Sequence, residues 1–198
     1  LVARSRVDLS KDPEGMKKVL DELMRLERDG YQFESADASF DLLVRRSLGL
    51  YKPFFKLHGF RVIAENSDEG PSSSEATVKL EVNGRMEHTA CESADGPVSA
   101  LDGALRKALI PHYPALAQMR LVDYKVVIFN PQEATKAHVR VLVESADGKN
   151  VWRTVGASAN ILEASYIALV EAIEYTLLQH RPASGATRRK RAAGGKKK

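Results

Sequence analysis

The feature that most restricts the fold of this 198-residue chain is an internal duplication. Phe60-Arg61-Val62-Ile63-Ala64 reads as a short strand, and Tyr124-Lys125-Val126-Val127-Ile128 is its counterpart. Thr77 to Val82 alternates apolar and polar residues, as a half-buried strand does, and Val139 to Val143 matches it. Asn83-Gly84 is a strong hairpin turn that returns through Arg85 to Ala90. Asp147-Gly148 takes that place in the second copy and returns through Val151 to Val155. Each copy then closes on a helix. Gly96-Pro97 opens the first, with Leu101, Ala104, Leu105, Ala108 and Leu109 on one face; Asn160 opens the second, with Glu163 three residues later in a capping-box arrangement. The landmarks recur at an offset of about 61–65 residues. One such unit leaves a sheet face and a helix face uncovered. Stacking two buries both, which predicts an α+β fold of two pseudo-symmetric β-β-β-α units packed together.

The first fifty residues have a different period. Met16, Val19, Leu20, Leu23 and Leu26 fall on one helical face between Asp12-Pro13 and Gly30, and a second helix is predicted from Asp37 to Leu48. Tyr51-Lys52-Pro53 ends the pattern. The expected organisation is therefore a helical linker subdomain over 1–53, the duplicated unit over 54–180 and a disordered basic tail over 181–198. The first residues, Leu1-Val2-Ala3-Arg4-Ser5, carry neither an initiator Met nor a signal core, so a longer protein is expected to precede them.

Charge argues against a nucleic-acid partner. The net charge is +4, but Arg188, Arg189, Lys190, Arg191, Lys196, Lys197 and Lys198 supply seven positive charges, and without them the rest is −3. A nucleic-acid binder spreads its basic residues over a folded face rather than a Gly/Ala tail. No apolar run reaches the roughly 18 residues of a membrane span, which predicts no membrane partner. The single Cys91 offers neither an internal disulfide nor a zinc cluster and suits a reducing cytoplasm.

Catalytic motifs are lacking. His58, His88, His112, His138 and His180 are scattered, with no HxH or HExxH, and no GxSxG, phosphate-binding loop or dinucleotide fingerprint occurs. The sites that stand out are the two turns entering the helices, Ala94-Asp95-Gly96-Pro97-Val98-Ser99 and Gly156-Ala157-Ser158-Ala159-Asn160-Ile161. Each brings free backbone N–H groups to a helix start, where a carboxylate or phosphate is favoured. Gly96 would let the backbone approach a ligand.

Several stretches resemble one family in their order along the chain. They are Gly30-Tyr31-Gln32-Phe33-Glu34-Ser35-Ala36-Asp37-Ala38-Ser39-Phe40, Tyr51-Lys52-Pro53-Phe54-Phe55, Ser74-Glu75-Ala76-Thr77-Val78, Asp95-Gly96-Pro97-Val98, Ala100-Leu101-Asp102, Val122-Asp123-Tyr124-Lys125-Val126 and Val155 to Ser165. Together they resemble the C-terminal regulatory, LeuA-type domain of the citramalate synthase and 2-isopropylmalate synthase family, over roughly residues 8–180. The resemblance implies a (β/α)8 catalytic barrel missing from this stretch, which condenses acetyl-CoA with a 2-oxo acid at a divalent metal. No catalytic residue, metal or cofactor is expected in the stretch itself. It also implies a homodimer that binds a branched-chain amino acid as feedback inhibitor near the dimer seam. Isoleucine is the effector expected for the citramalate type and leucine for the isopropylmalate type.

Carried over by position, the effector pocket should take Gly96, Val98 and Ser99 from the first helix start. Leu121, Tyr124 and Ile128 should come from the second copy's first strand, and Ala134 and His138 from the loop and strand that follow. Ser158, Asn160 and Ile161 should come from the second helix start. The residues leave two other classes open: a dimerisation domain without a ligand, and a polyanion contact through the basic tail.

Overall fold

A computed structural model describes residue 7 and residues 12–66, 72–129 and 138–180. Two helices come first, α1 (Pro13–Arg28) and α2 (Asp37–Ser47). Then follow β1 (Lys56–Glu65), β2 (Ser73–Val82), β3 (Arg85–Ser93) and α3 (Pro97–Leu109), a 3-10 turn at Pro114–Gln118, and β4 (Arg120–Phe129), β5 (His138–Ala146), β6 (Val151–Ser158) and α4 (Ile161–Gln179). The strands form two separate antiparallel sheets, β1-β2-β3 and β4-β5-β6. The fold is therefore α+β, with two β-β-β-α units. The basic tail and Ala134 lie outside the described residues.

The register makes the duplication quantitative. β1 slips against β2 between Leu57 and Gly59, and β4 slips against β5 between Leu121 and Asp123. Phe60 then faces Val78 as Tyr124 faces Val143. Ser93 ends β3 as Ser158 ends β6, each paired to the second residue of its central strand, Ser74 in β2 and Val139 in β5. Equivalent residues stand 64 to 65 positions apart. Hydrogen bonds from strand to helix repeat too: Thr89 Oγ donates to the Ala104 carbonyl, and Thr154 Oγ to the Ala168 carbonyl, both at 2.8 Å.

Burial explains the layers. In β2 the alternate residues Ala76, Val78, Leu80 and Val82 are fully buried beneath Ala100, Leu101, Ala104, Leu105 and Leu109 of α3. Each buried Leu or Val contributes about 1.5–3 kcal/mol through removal from water. Small residues let α4 lie close to its sheet. A Cβ added at Gly156 of β6 would collide with the Ala164 carbonyl of α4, so only glycine fits there.

Three details depart from the sequence reading. The second hairpin has four residues between its strands, not two: Asp147 N–H donates to the Asn150 carbonyl, and the Asp147 carboxylate accepts from Lys149 and Asn150 N–H. In register, Gly148-Lys149 therefore sits where Asn83-Gly84 makes its turn. At the start of α4, Asn160 Oδ1 accepts from Leu162 N–H at 2.9 Å, but Glu163 accepts from Ser158 Oγ at 2.7 Å and does not close the expected reciprocal box. The backbone N–H of Asn160 goes to Ser158 Oγ instead. The strands β1 and β4 are also longer than their apolar runs suggested.

The two leading helices pack on the second unit. Val19, Leu23, Phe33, Phe40 and Val44 form a cluster with Val155 of β6, while Ala38 and Leu42 join the main core. The outer edge of β6 is sealed by α2: Arg153 N–H donates to Asp37 and Val155 N–H to Ser39 Oγ. Edge strands present unpaired groups that must be covered or left to a partner. β4 has no such cover among the described residues.

Candidate effector cleft between the two units

Each unit turns from its third strand into its helix through the same device. Ser93 Oγ accepts from Asp95 N–H at 3.1 Å and donates to Ser99 Oγ at 3.0 Å. Ser158 Oγ accepts from Asn160 N–H and donates to Glu163. Beyond that the corners differ. Asn160 caps α4 and Glu163 places a carboxylate in its first turn. α3 has no side-chain cap and no acid in its first turn. Pro97 has no N–H, and the first intrahelical bond runs from Ala100 N–H to the Gly96 carbonyl, so the N–H groups of Val98 and Ser99 have no partner among the described residues. Gly96 has φ 105°, and a Cβ there would meet nothing within 4 Å. Conformation, rather than crowding, requires the glycine.

The bare corner closes onto the other unit. Asp95, Pro97, Val98, Ser99 and Asp102 face Leu121 and Tyr124 of β4 and Leu169 of α4 around a cleft of about 400 Å³. Four expected residues, Val98, Ser99, Leu121 and Tyr124, thus meet, and Gly96 forms the corner between two lining residues. Tyr124 also ties the cleft to α4: its hydroxyl is 2.7 Å from Ser165 Oγ, which donates to the Ile161 carbonyl.

The other expected residues lie elsewhere. Ile128 is 60% exposed near the far end of β4, four residues and about 13 Å along the strand from Tyr124. His138 pairs with Phe129 at that same end, its ring 5.7 Å from the Phe129 ring. Ser158, Asn160 and Ile161 build the second corner and do not line the cleft. Asp102 and Leu169 were not anticipated as site residues. Asp102 stands in a helical i,i+4 pair with Arg106, which reads in sequence as an ordinary surface ion pair.

The corresponding α4–β1 region of the other unit also has a cleft, of about 550 Å³ beside Leu57, Tyr166 and Val170, but its residues differ. Leu57, Phe60 and Tyr166 take the places of Leu121, Tyr124 and Asp102, and the Phe60 and Tyr166 rings stack at 5.0 Å. A larger cleft of about 570 Å³ runs between α1, α2 and α4, but its buried charges satisfy one another. Arg46 binds Glu171 at 2.5 Å and Glu174 at 2.7 Å, and Ser39 donates to Glu171. Burial raises the Glu171 carboxyl above its ordinary range, while the Arg46 guanidinium opposes that rise. That cleft reads as a packed junction. Among the described residues no three His, Cys, Asp or Glu side chains come together to hold a metal, so no chemistry through a divalent ion is derived for this chain. No helix among them is long and apolar enough to cross a membrane.

Residues 34–177 match the LeuA allosteric (dimerisation) domain. Over 170 residues the chain is 51% identical to an (R)-citramalate synthase of Aquifex aeolicus, a match covering 85% of this chain and 32% of that protein. It is 48% identical over 169 residues to an (R)-citramalate synthase of Geobacter sulfurreducens, again covering 85% and 32%. For the (R)-citramalate synthase of Synechocystis the identity is 47%, covering 86% and 32%. The chain spans about a third of the length of these relatives.

Proposed function

The chain belongs to the LeuA allosteric (dimerisation) domain family, and on that premise we propose that it is the feedback-sensing domain of a citramalate synthase, with isoleucine as the effector held in the α3–β4 cleft. The observation that carries this is the bare start of α3 in one unit closing against an apolar strand of the other. The open N–H groups of Val98 and Ser99 suit the effector carboxylate, assisted by the positive end of the helix dipole. Leu121, Val98 and Leu169 offer a branched aliphatic side chain a place worth about 1.5–3 kcal/mol. An amino-acid pocket needs this combination of apolar walls and a few fixed polar groups.

Dimerisation is proposed through β4, whose outer edge carries Leu121, Val122, Val126 and Ile128 exposed. In the whole enzyme the domain would govern an acetyl-CoA-dependent condensation with a 2-oxo acid at a divalent metal held elsewhere. Calorimetric titration with isoleucine, leucine and valine tests the reading. Isoleucine should bind most tightly, with valine weaker by about fourfold for its one fewer methylene. Tightest binding of leucine would transfer the assignment to the isopropylmalate type, and no heat with any of the three would remove the sensor. Light scattering should give twice the mass of one chain.

A further inference from the structure

We propose that the junction of Arg46, Ser39, Glu171 and Glu174 is the joint through which α4 passes occupancy of the α3–β4 cleft to helices α1 and α2. This rests on the reading of that cleft as an effector site. α4 serves both places. Ser165 bonds to Tyr124 of the cleft and Leu169 lines it, whereas Ile167 and Glu171 line the junction and Glu174 binds Arg46. At 3.6 residues per turn, the first pair and the second three lie about 180° apart around the helix. One rod thus has opposite faces on the two places. It runs for 19 residues, or about 28 Å, and most of it from Ala164 to Leu177 is buried.

The junction is built to carry a shift of α4 rather than absorb it. The Arg46 guanidinium donates to Glu171 at 2.5 Å and to Glu174 at 2.7 Å, on successive turns of α4. Both acids are buried, and Arg46 is so in part. Ser39 donates to the other Glu171 oxygen and accepts from Val155 N–H of β6 at 2.9 Å. Two side chains of α2 therefore grip α4, and one of them grips the sheet as well. Apolar side chains slide past one another with little loss, but charged hydrogen bonds are short and directional and weaken steeply when displaced. Two buried acids facing one base are also a poor device for stability alone, since apolar residues of the same volume serve as well. Behind this grip, Phe33, Phe40, Leu43 and Val44 carry the connection to Val19 and Leu23 of α1. An effector that fills the cleft adds contacts to Leu169, steadies α4 and so tightens its hold on α2.

The test is amide hydrogen exchange on the full chain, with and without saturating isoleucine, beside calorimetric titration. In the wild type, isoleucine should slow exchange across α2 by about fivefold or more. Arg46→Met should abolish that ligand-dependent slowing. It should also weaken isoleucine by about fivefold without touching the cleft, because coupling between two places is reciprocal. Ser39→Ala, a gentler change, should lose part of both effects. Arg45→Gln breaks an ion pair with Asp41 that stays within α2, and should leave both within about twofold of the wild type. An Arg46 that only holds the fold together would raise α2 exchange equally with and without isoleucine. Slowing that survives in Arg46→Met or is untouched in Ser39→Ala therefore overturns the joint, as does equal loss in Arg45→Gln. A wild type that binds isoleucine yet leaves α2 unchanged overturns it without needing any variant. A wild type that binds no isoleucine overturns the cleft assignment itself, and the joint with it.

Discussion

The two units share a frame and differ in what they leave open. Both end their third strand in a serine that bonds forward into the helix start, and both anchor helix to sheet through a threonine on that strand. In the second unit the corner is closed by Asn160 and Glu163; in the first it is bare. The difference repeats in the clefts. Where α4 meets β1, two aromatic rings stack beside a cleft of about 550 Å³, and where α3 meets β4, Asp102 and Tyr124 stand in their places around one of about 400 Å³. The scaffold is thus present twice, while a few positions give its two clefts different linings.

The comparison can be broken by moving residues across it. The largest effect is expected from Gly156→Cys, which gives β6 the residue that Cys91 supplies in β3. The new side chain meets the backbone of α4 at Ala164, so the chain should lose about 3 kcal/mol or more in urea denaturation. Tyr166→Ala should follow, at about 2 kcal/mol, by removing a half-buried ring and its stacking on Phe60. A crystal structure of that variant should show the α4–β1 cleft enlarged; a collapsed one would mean that the two clefts are less alike than their register.

Smaller effects sharpen the comparison. Tyr124→Phe makes β4 carry the ring type of its counterpart Phe60 and removes the bond to Ser165. It should cost about 1 kcal/mol by thermal melting. Asn160→Gly imitates the Gly96 corner and should cost only a few tenths of a kcal/mol, because glycine is itself tolerated at a helix start. If this last change proved as damaging as Gly156→Cys, the second corner would be doing more than capping.

The sequence was legible wherever one periodicity dominated. The strict alternation of Thr77 to Val82 and the helical spacing of Met16 to Leu26 revealed β2 and α1, since each buries a single face. The outer strands were read short. Most of β4 is exposed, so Arg120, Leu121 and Val122 show no alternation to mark its start. The capping box was misjudged because Ser158, two residues before the cap, competes for both partners. Of the residues that the linear motif groups together, Val98, Ser99, Leu121 and Tyr124 line one cleft. The motif could not show that Ile128 and His138 sit at the distant end of the strand pair. Nor could it show that the carbonyls of Leu116 and Met119 pull Arg106 off one oxygen of Asp102.

The covered edge of β6 has a consequence for assembly. Asp37 and Ser39 already occupy outward N–H groups of that strand, so the sheet it belongs to can be extended only from its opposite side. A ribbon that can be joined on one flank alone cannot polymerise along that direction. If two copies pair through β4, as proposed above, that sheet ends in a closed two-fold pair rather than a fibre.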